Sequence, residues 1–509
     1  MAEPLKCVPS DSLITGWDFS TGAVKCLAFD LEGRTLAEVR LPTDLWDHDG
    51  VSELNLMQLE GQARASTRAL AAKLREQGRL KDWIAGGVSA THHTAGRIDA
   101  NHVQVRRAIC WNDHTLAAYH EKGLARLGGQ EAVRKLIGGP WAIRYTLSHL
   151  VKDAVHLGET DWRRTKYVLP HGALAAGYLT GNFGVVSVSA AASTGLMDLR
   201  TKAWCRAMLD TLEQPWQREL AWNQLPQIVD QNEPVGALAD HLALEIKLEG
   251  ERPLIFPTSD DQQAGLVGGG AVIDGQVAVV LGNSAVVNSS SDRLPASGTL
   301  DAMRLNWGPY LWMRCYNNGA QFLDTVVGAD PDWQYLEAEA RRVAPVADGV
   351  VVLPFVNPEP SLNVPAQWVE WYPTLPEQPG KKFRAAMEAL AYLIALGVRE
   401  HEAAGQRITR LTVSGGIARS SLMCEILATV LDRPLHRLVS AEGPALGAAV
   451  TALAALETSR RRQAGIKEPF TVADAVAVLV KFKDVVEPNL AWQPAYQQGL
   501  HTFEQRLQT

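Results

Sequence analysis

Two adjacent carboxylates, Asp260 and Asp261, stand between the apolar run Leu254-Ile255-Phe256-Pro257 and the small-residue segment 266–271. The pattern predicts a short buried strand, a loop carrying both aspartates, and a helix opening directly behind them. A carboxylate held there is exposed yet fixed, and so spare for chemistry. The same position suits a helix N-cap, for which Asp is a preferred residue. Taken alone, the stretch leaves both roles open.

Three loops elsewhere have the composition of nucleotide contacts. In Asp18-Phe19-Ser20-Thr21-Gly22-Ala23-Val24-Lys25, predicted strands at 14–18 and 24–30 flank a tip of small residues. Ser20, Thr21 and Gly22 leave backbone N–H groups open to an anion, Lys25 adds positive charge, and Asp18 is a candidate metal ligand. An ordinary turn needs the same residue types. A strand at 275–281 entering Gly282-Asn283-Ser284-Ala285 repeats this logic in the second half. A strand at 411–413 runs into Ser414-Gly415-Gly416 ahead of a helix at 420–431, and glycines at such a turn let a flat ligand such as adenine approach the backbone.

Two polar clusters suit a hydroxyl-rich ligand. A strand at 83–89 ends in Thr91-His92-His93-Thr94, and imidazole both donates and accepts hydrogen bonds. A shorter strand ends at Trp111-Asn112-Asp113, where the indole offers a flat apolar face and its neighbours offer polar groups. Surface histidines, and an Asn-Asp cap for a helix starting at 115, are the competing readings. No third ligand at a helpful spacing favours metal binding by the histidine pair.

The elements that must position these residues are a β-meander at 14–41, a helix at 54–77, a mostly helical region at 131–177 stopped by Gly181, and tightly packed small residues at 187–195. A chain of 509 residues, 46% apolar and 21% charged, has core material for two or three domains. Its net charge of -7 argues against a nucleic-acid partner, and the dense basic cluster Arg460-Arg461-Arg462 reads as a solvated helix end. Six scattered cysteines fit a reducing compartment. No apolar run approaches the roughly 20 residues that span a bilayer, so the expectation is a cytoplasmic protein with no membrane contact.

The order of the loops resembles the FGGY carbohydrate kinases of the actin-like ATPase superfamily, over nearly the whole chain from Ile14. The tip at 18–25 resembles the family's first phosphate loop, 281–287 the second, and Ser414-Gly415-Gly416 the adenosine loop. Asp261 falls at the aspartate of the Gly-Asp-x-x-Ala motif, and Glu442 with Ala445-Leu446-Gly447-Ala448-Ala449 matches the helix that follows the adenosine loop. The chain departs from the pattern at Ser20 (family glycine), Asn283 (family threonine), Thr91-His92-His93-Thr94 (family Gln-Met-His-Gly), Val186-Ser187-Val188-Ser189 (family Thr-Asp-x-Ser) and Pro358-Glu359-Pro360 (family Gly-Glu-Arg).

The resemblance implies an α/β protein of two duplicated ribonuclease H-like domains, at 12–257 and 258–509, with a ligand cleft between them. It implies transfer of the γ-phosphoryl group of Mg·ATP to a small ketose or polyol, xylulose first, with glycerol, a tetrose or an aldonate as alternative acceptors. Asp261 is then the base, Asp18 holds Mg²⁺, and Ser20, Thr21, Gly22, Lys25, Gly282, Asn283, Ser284, Ser414, Gly415 and Gly416 face ATP. His92, His93, Trp111, Asn112, Asp113 and Asp261 face the acceptor. A homodimer is compatible with this reading. An actin-like ATPase without a small acceptor, or a degenerate sugar and nucleotide sensor, shares the ATP loops and lacks the transfer.

Overall fold

Apolar residues fill both faces of the first hairpin, so it must lie inside the protein. Leu13–Phe19 is buried along its whole length and pairs antiparallel with Ala23–Phe29, placing Asp18 opposite Lys25. The computed structural model describes residues 3–257, 259–296 and 300–508; the expected domain boundary falls at residue 258, outside them. Thr35–Pro42 extends the meander on one flank, and Trp83–Ala90 lies parallel to Leu13–Phe19 on the other, followed by Leu254–Ile255 and Gly236–Ala237.

The second half repeats this order. Gln276–Leu281 pairs antiparallel with Ala285–Ser291, beyond which lie Tyr310–Tyr316 and Asp301–Arg304. On its other flank come the parallel strands Arg410–Ser414 and Leu435–Leu438, then the antiparallel edge Phe482–Val486. In each sheet the hairpin tip and the end of the neighbouring parallel strand emerge on the same side, where open α/β sheets bind ligands.

Within the first half, a separate five-stranded sheet runs Leu45–His48, Val51–Leu54, Gln104–Ile109, Ala95–Ile98, Tyr167–Pro170. Residues 131–177 are mostly helical, as expected, with helices at Gln130–Ile137, Thr146–His156, Glu159–Arg164 and His171–Thr180; the apolar, partly β-branched Tyr167–Pro170 is a strand among them and pairs with Ala95–Ile98. Among the described residues all six cysteines are free, and no helix is long and apolar enough to cross a membrane.

The helix Gly443–Gln463 carries small residues along its first turns, and they decide where it packs. It lies on the sheet at Gly16 and Gly87, which are register partners on adjacent strands, and it crosses Asp261–Gly268 in the opposite direction. A Cβ on Gly447 would stand 1.9 Å from the carbonyl oxygen of Ala264, and one on Gly268 would stand 2.0 Å from that of Gly443. Only glycine permits such an approach. At the far end of the helix the basic cluster is divided: Arg462 is exposed, as a solvated helix end would be, whereas Arg461 is 2% exposed and binds Glu457 at 2.7 Å and the Pro4 carbonyl at 2.6 Å. Glu457 in turn accepts the backbone N–H groups of Lys6, Cys7 and Val8. The buried Glu457 carboxylate is thus both paired with the arginine and hydrogen-bonded by backbone amides.

Replacing Gly447 by alanine is expected to lower stability by about 1–3 kcal/mol, the usual cost of overpacking. Gly61→Ala, in the middle of the helix Leu56–Glu76 where an added Cβ meets nothing within 4 Å, is the control and should be neutral or stabilising. Urea unfolding midpoints decide it: equal midpoints for the two variants would contradict the packing argument.

Candidate active site

The two aspartates divide the roles that the sequence left open. Ser259–Asp260 pairs with the end of Trp83–Ala90, and Asp260 is the N-cap of Asp261–Gly268, its side chain accepting the Gln263 N–H at 2.8 Å. Ser189 Oγ also donates to Asp260, so both of its oxygens are held. Asp261 is therefore the spare carboxyl. It begins the helix and faces the cleft, and its Oδ1 accepts the backbone N–H of His92 at 3.1 Å. Burial, followed by the nearby charges of Asp260 and Asp18, pushes its pKa from 3.8 up to about 8. Asp18, 4% exposed, is pushed up to about 6 by burial, opposed by the charge of Lys25 and the hydroxyl of Ser89.

A cleft of about 900 Å³ collects Ser20, Thr21, Gly22 and Lys25 from one sheet and Gly282, Asn283, Ser284, Ser414, Gly415 and Gly416 from the other. Asp18 lies behind its tip rather than in the lining. The tips use some of their own polarity: the Ser20 N–H binds the Ala23 carbonyl at 3.1 Å and the Gly282 N–H binds that of Ser284 at 3.0 Å. The Ser20 hydroxyl also donates to Ala23, so the serine that replaces a glycine closes the turn internally. Glycine is required at 415, where φ is +99° and a Cβ would stand 2.2 Å from the Leu281 carbonyl oxygen; at Gly22 and Gly416 an added Cβ meets only open space. Across the cleft Lys25 pairs with Glu442 at the start of the long helix. Glu359, in the altered Gly-Glu-Arg segment, is buried and accepts the Asn317 N–H at 2.6 Å, bracing the turn that packs Gly319 against the Gly282 tip.

At the other end His92, His93 and Tyr145 form a continuous stack, with ring centroids 3.6 Å and 4.3 Å apart. His93 has φ of +55°, uncommon for a residue with a side chain and a form of strain found at functional sites. Its Nδ1 lies 3.0 Å from the Ser193 carbonyl oxygen, which can only accept. Nδ1 therefore carries the proton and Nε2 is a bare acceptor. Burial, then the charges of His92 and Arg144, hold the His93 pKa well below its ordinary value, so the ring is neutral. Both nitrogens of His92 and Nε2 of His93 have no hydrogen-bond partner although buried. Among the described residues only one group combines three potential metal ligands, His92, Asp260 and Asp261.

Trp111 lines the cleft; Asn112 and Asp113 do not. Asn112 accepts the Ser52 hydroxyl at 2.9 Å, while Asp113 accepts the Thr115 N–H at 2.8 Å and pairs with Lys152 at 3.2 Å. The capping alternative thus describes Asp113, ahead of a short 3-10 turn, His114–Leu116, rather than a helix beginning at 115. Sequence reasoning missed Arg144, Tyr145 and Trp333. Arg144 lines the acceptor end and pairs with Asp301 from the other sheet. Trp333 opens a helix beside Phe383, 5.9 Å between ring centroids, and forms with Met387 and Ile417 an apolar wall near the diglycine. None of the three sits in a local pattern that announces a site; Trp333, placed just after the cap Asp332, came nearest.

A family model described as the FGGY family of carbohydrate kinases, N-terminal domain, matches residues 13–268, and its C-terminal counterpart matches 327–456. A xylulose kinase from Escherichia coli (strain K12) is 27% identical over 459 residues, 85% of this chain and 88% of its own. A gluconokinase from Bacillus subtilis (strain 168) is 24% identical, covering 87% of each chain. Among solved structures, a "xyloylose kinase" from Brucella ovis superposes with a TM-score of 0.81 at 24% identity, over 97% of this chain and 98% of its own. A Plasmodium falciparum glycerol kinase with ADP gives 0.80 at 15% identity, over 97% and 98%. These likenesses establish the shared fold.

The raised pKa of Asp261 has a consequence for stability. Between about pH 4 and about pH 8 the folded protein retains a proton that the unfolded chain releases. Stability tied to this group is fully present below about pH 4 and is lost as pH rises through about 8. Asp261→Asn removes the titration, so its stability relative to the parent should improve with pH by up to about 1.4 kcal/mol per unit across that window. Urea unfolding of ligand-free protein at several pH values measures it; a pH-independent difference would contradict the burial of this carboxyl.

Proposed function

Because the chain belongs to the FGGY family of carbohydrate kinases, we propose that it transfers the γ-phosphoryl group of Mg·ATP to a hydroxyl of a small ketose or polyol, with xylulose as the first acceptor to test. The observation that carries this reading is the position of Asp261. It stands at a helix N-terminus in a cleft with two small-residue tips on one side and a stack of neutral histidines on the other.

Phosphoryl transfer needs in-line positioning and charge neutralisation more than covalent help. The tips around Ser20–Gly22 and Gly282–Ser284 cradle the phosphates, and Lys25 supplies charge close to Asp18. Ser414, Gly415 and Gly416 lie against the adenosine, with Trp333 and Phe383 offering the base an apolar wall. Asp18, a buried carboxyl whose ionisation is opposed by burial, fits a cation partner, and it would hold Mg²⁺ directly or through water. Bound there, the ion would neutralise charge on the transferring phosphate. Asp261 takes the proton of the attacking hydroxyl, and its raised pKa makes the ionised form a stronger base. The His92 N–H fixes which Asp261 oxygen stays free. His92, His93 and Trp111 hold the acceptor, while the ion pairs Lys25–Glu442 and Arg144–Asp301 keep the cleft walls together and water out.

Asp261→Asn is expected to reduce ADP release driven by D-xylulose by about 10²–10⁴-fold, the usual worth of a general base, while ATP affinity measured by calorimetry stays within a few-fold of the parent. Near-normal turnover in this variant would remove Asp261 from the role.

A further inference from the structure

The acceptor end carries charges that hydroxyl recognition does not require. Asp260 stands where the Gly-Asp-x-x-Ala motif has glycine, so a second carboxylate is buried one residue from the base. Arg144 is the one cation among the described residues lining this end, and it is paired with Asp301. We propose that this end selects an uncharged polyhydroxy acceptor and rejects sugar acids, with Asp260 and the Arg144–Asp301 pair enforcing the choice. The inference deepens the kinase reading and rests on it.

Three features act against a carboxylate. First, Asp260 is buried behind the cleft lining and fixed by the Gln263 N–H at 2.8 Å and the Ser189 hydroxyl, so its carboxylate stays in place beneath an anionic ligand. Its nearest imidazole, His92, lies 3.9 Å away, beyond hydrogen-bond distance. Second, the positive charge of Arg144 is already shared with Asp301, a residue of the opposite sheet, so an acid approaching the guanidinium meets a carboxylate beside it. Third, Nδ1 of His93 donates to the Ser193 carbonyl, which leaves the buried and unpartnered Nε2 as the acceptor. The group that meets Nε2 must donate, which a hydroxyl does and a carboxylate does not. Leaving a buried polar group unpaired is what lets a site reject a near-isostere strongly.

The inference separates two acceptor chemistries represented among relatives of similar identity, one named xylulose kinase and one named gluconokinase. The full chain is assayed for ADP release from Mg·ATP with D-xylulose, xylitol and D-gluconate, and binding of the same three compounds without nucleotide is measured by calorimetry. The expected result is a kcat/KM at least about 100-fold higher for the better neutral compound than for D-gluconate, with the same order in binding. Asp301→Asn, which frees Arg144, and separately Asp260→Asn, which removes the charge and keeps a capping side chain, should each narrow that ratio by about tenfold or more. D-gluconate matching the neutral compounds in turnover or in binding overturns the proposal, as does an unchanged ratio when both variants fold. If no compound yields ADP but a neutral one binds and D-gluconate does not, the kinase reading fails and the selection stands. If none of the three binds, the selection fails as well.

Discussion

Where the helix Gly443–Gln463 crosses Asp261–Gly268 and the sheet beneath, backbone meets backbone with no side chain between them. Everything in the cleft depends on that approach. Dispersion attraction falls steeply with separation, so a crossing this close is rigid in a way that interdigitated side chains are not. It fixes the origin of the helix that carries Asp261 against the strands that carry Asp18 and the His92 turn. It also brings Glu442 to Lys25. A site assembled from two sheets is then held to the tolerance of one packed core, as positioning chemistry demands.

The cost of the site is electrostatic. Asp18 and Asp260 are buried and Asp261 is half-buried close to them, and Asp18 and Asp261 are held well above their ordinary pKa. Such an arrangement weakens the ligand-free fold and strengthens the complex, because a bound cation and an acceptor hydroxyl supply the partners that burial removed. The strained backbone at His93 and the unpartnered nitrogens beside it belong to the same economy of stability given up at the place where chemistry occurs.

Much of this was legible in the chain. Small residues between apolar strands marked both tips, and the diglycine at 415–416 marked a strand-to-helix turn, where the structure finds Gly415 left-handed. The choice between Asp260 and Asp261 came from motif position, and the cap geometry is consistent with it. Local pattern failed where long-range contacts decide. Asn112 and Asp113 have suitable chemistry but spend it on Ser52, Thr115 and Lys152. Arg461 reads as a surface charge and is buried because residues 4–8 return to cover it. Arg144 sits between a loop and a helix with nothing to distinguish it, and gains meaning only from Asp301, 157 positions away. Tyr145 becomes part of the site only by stacking on His93.

The same long helix bears on the life of the chain before it is finished. Ile14, Leu27, Phe29 and Ala85 are covered by Leu446, Val450 and Leu453, and residues 6–8 are tied to Glu457, some 450 positions later. On a ribosome adding about 5–20 residues per second, this face of the first sheet waits tens of seconds for its cover. The first half is therefore not an autonomous folding unit. Its apolar face must be shielded during synthesis, and a chain interrupted ahead of the helix leaves an open sheet that invites association with other unfinished chains.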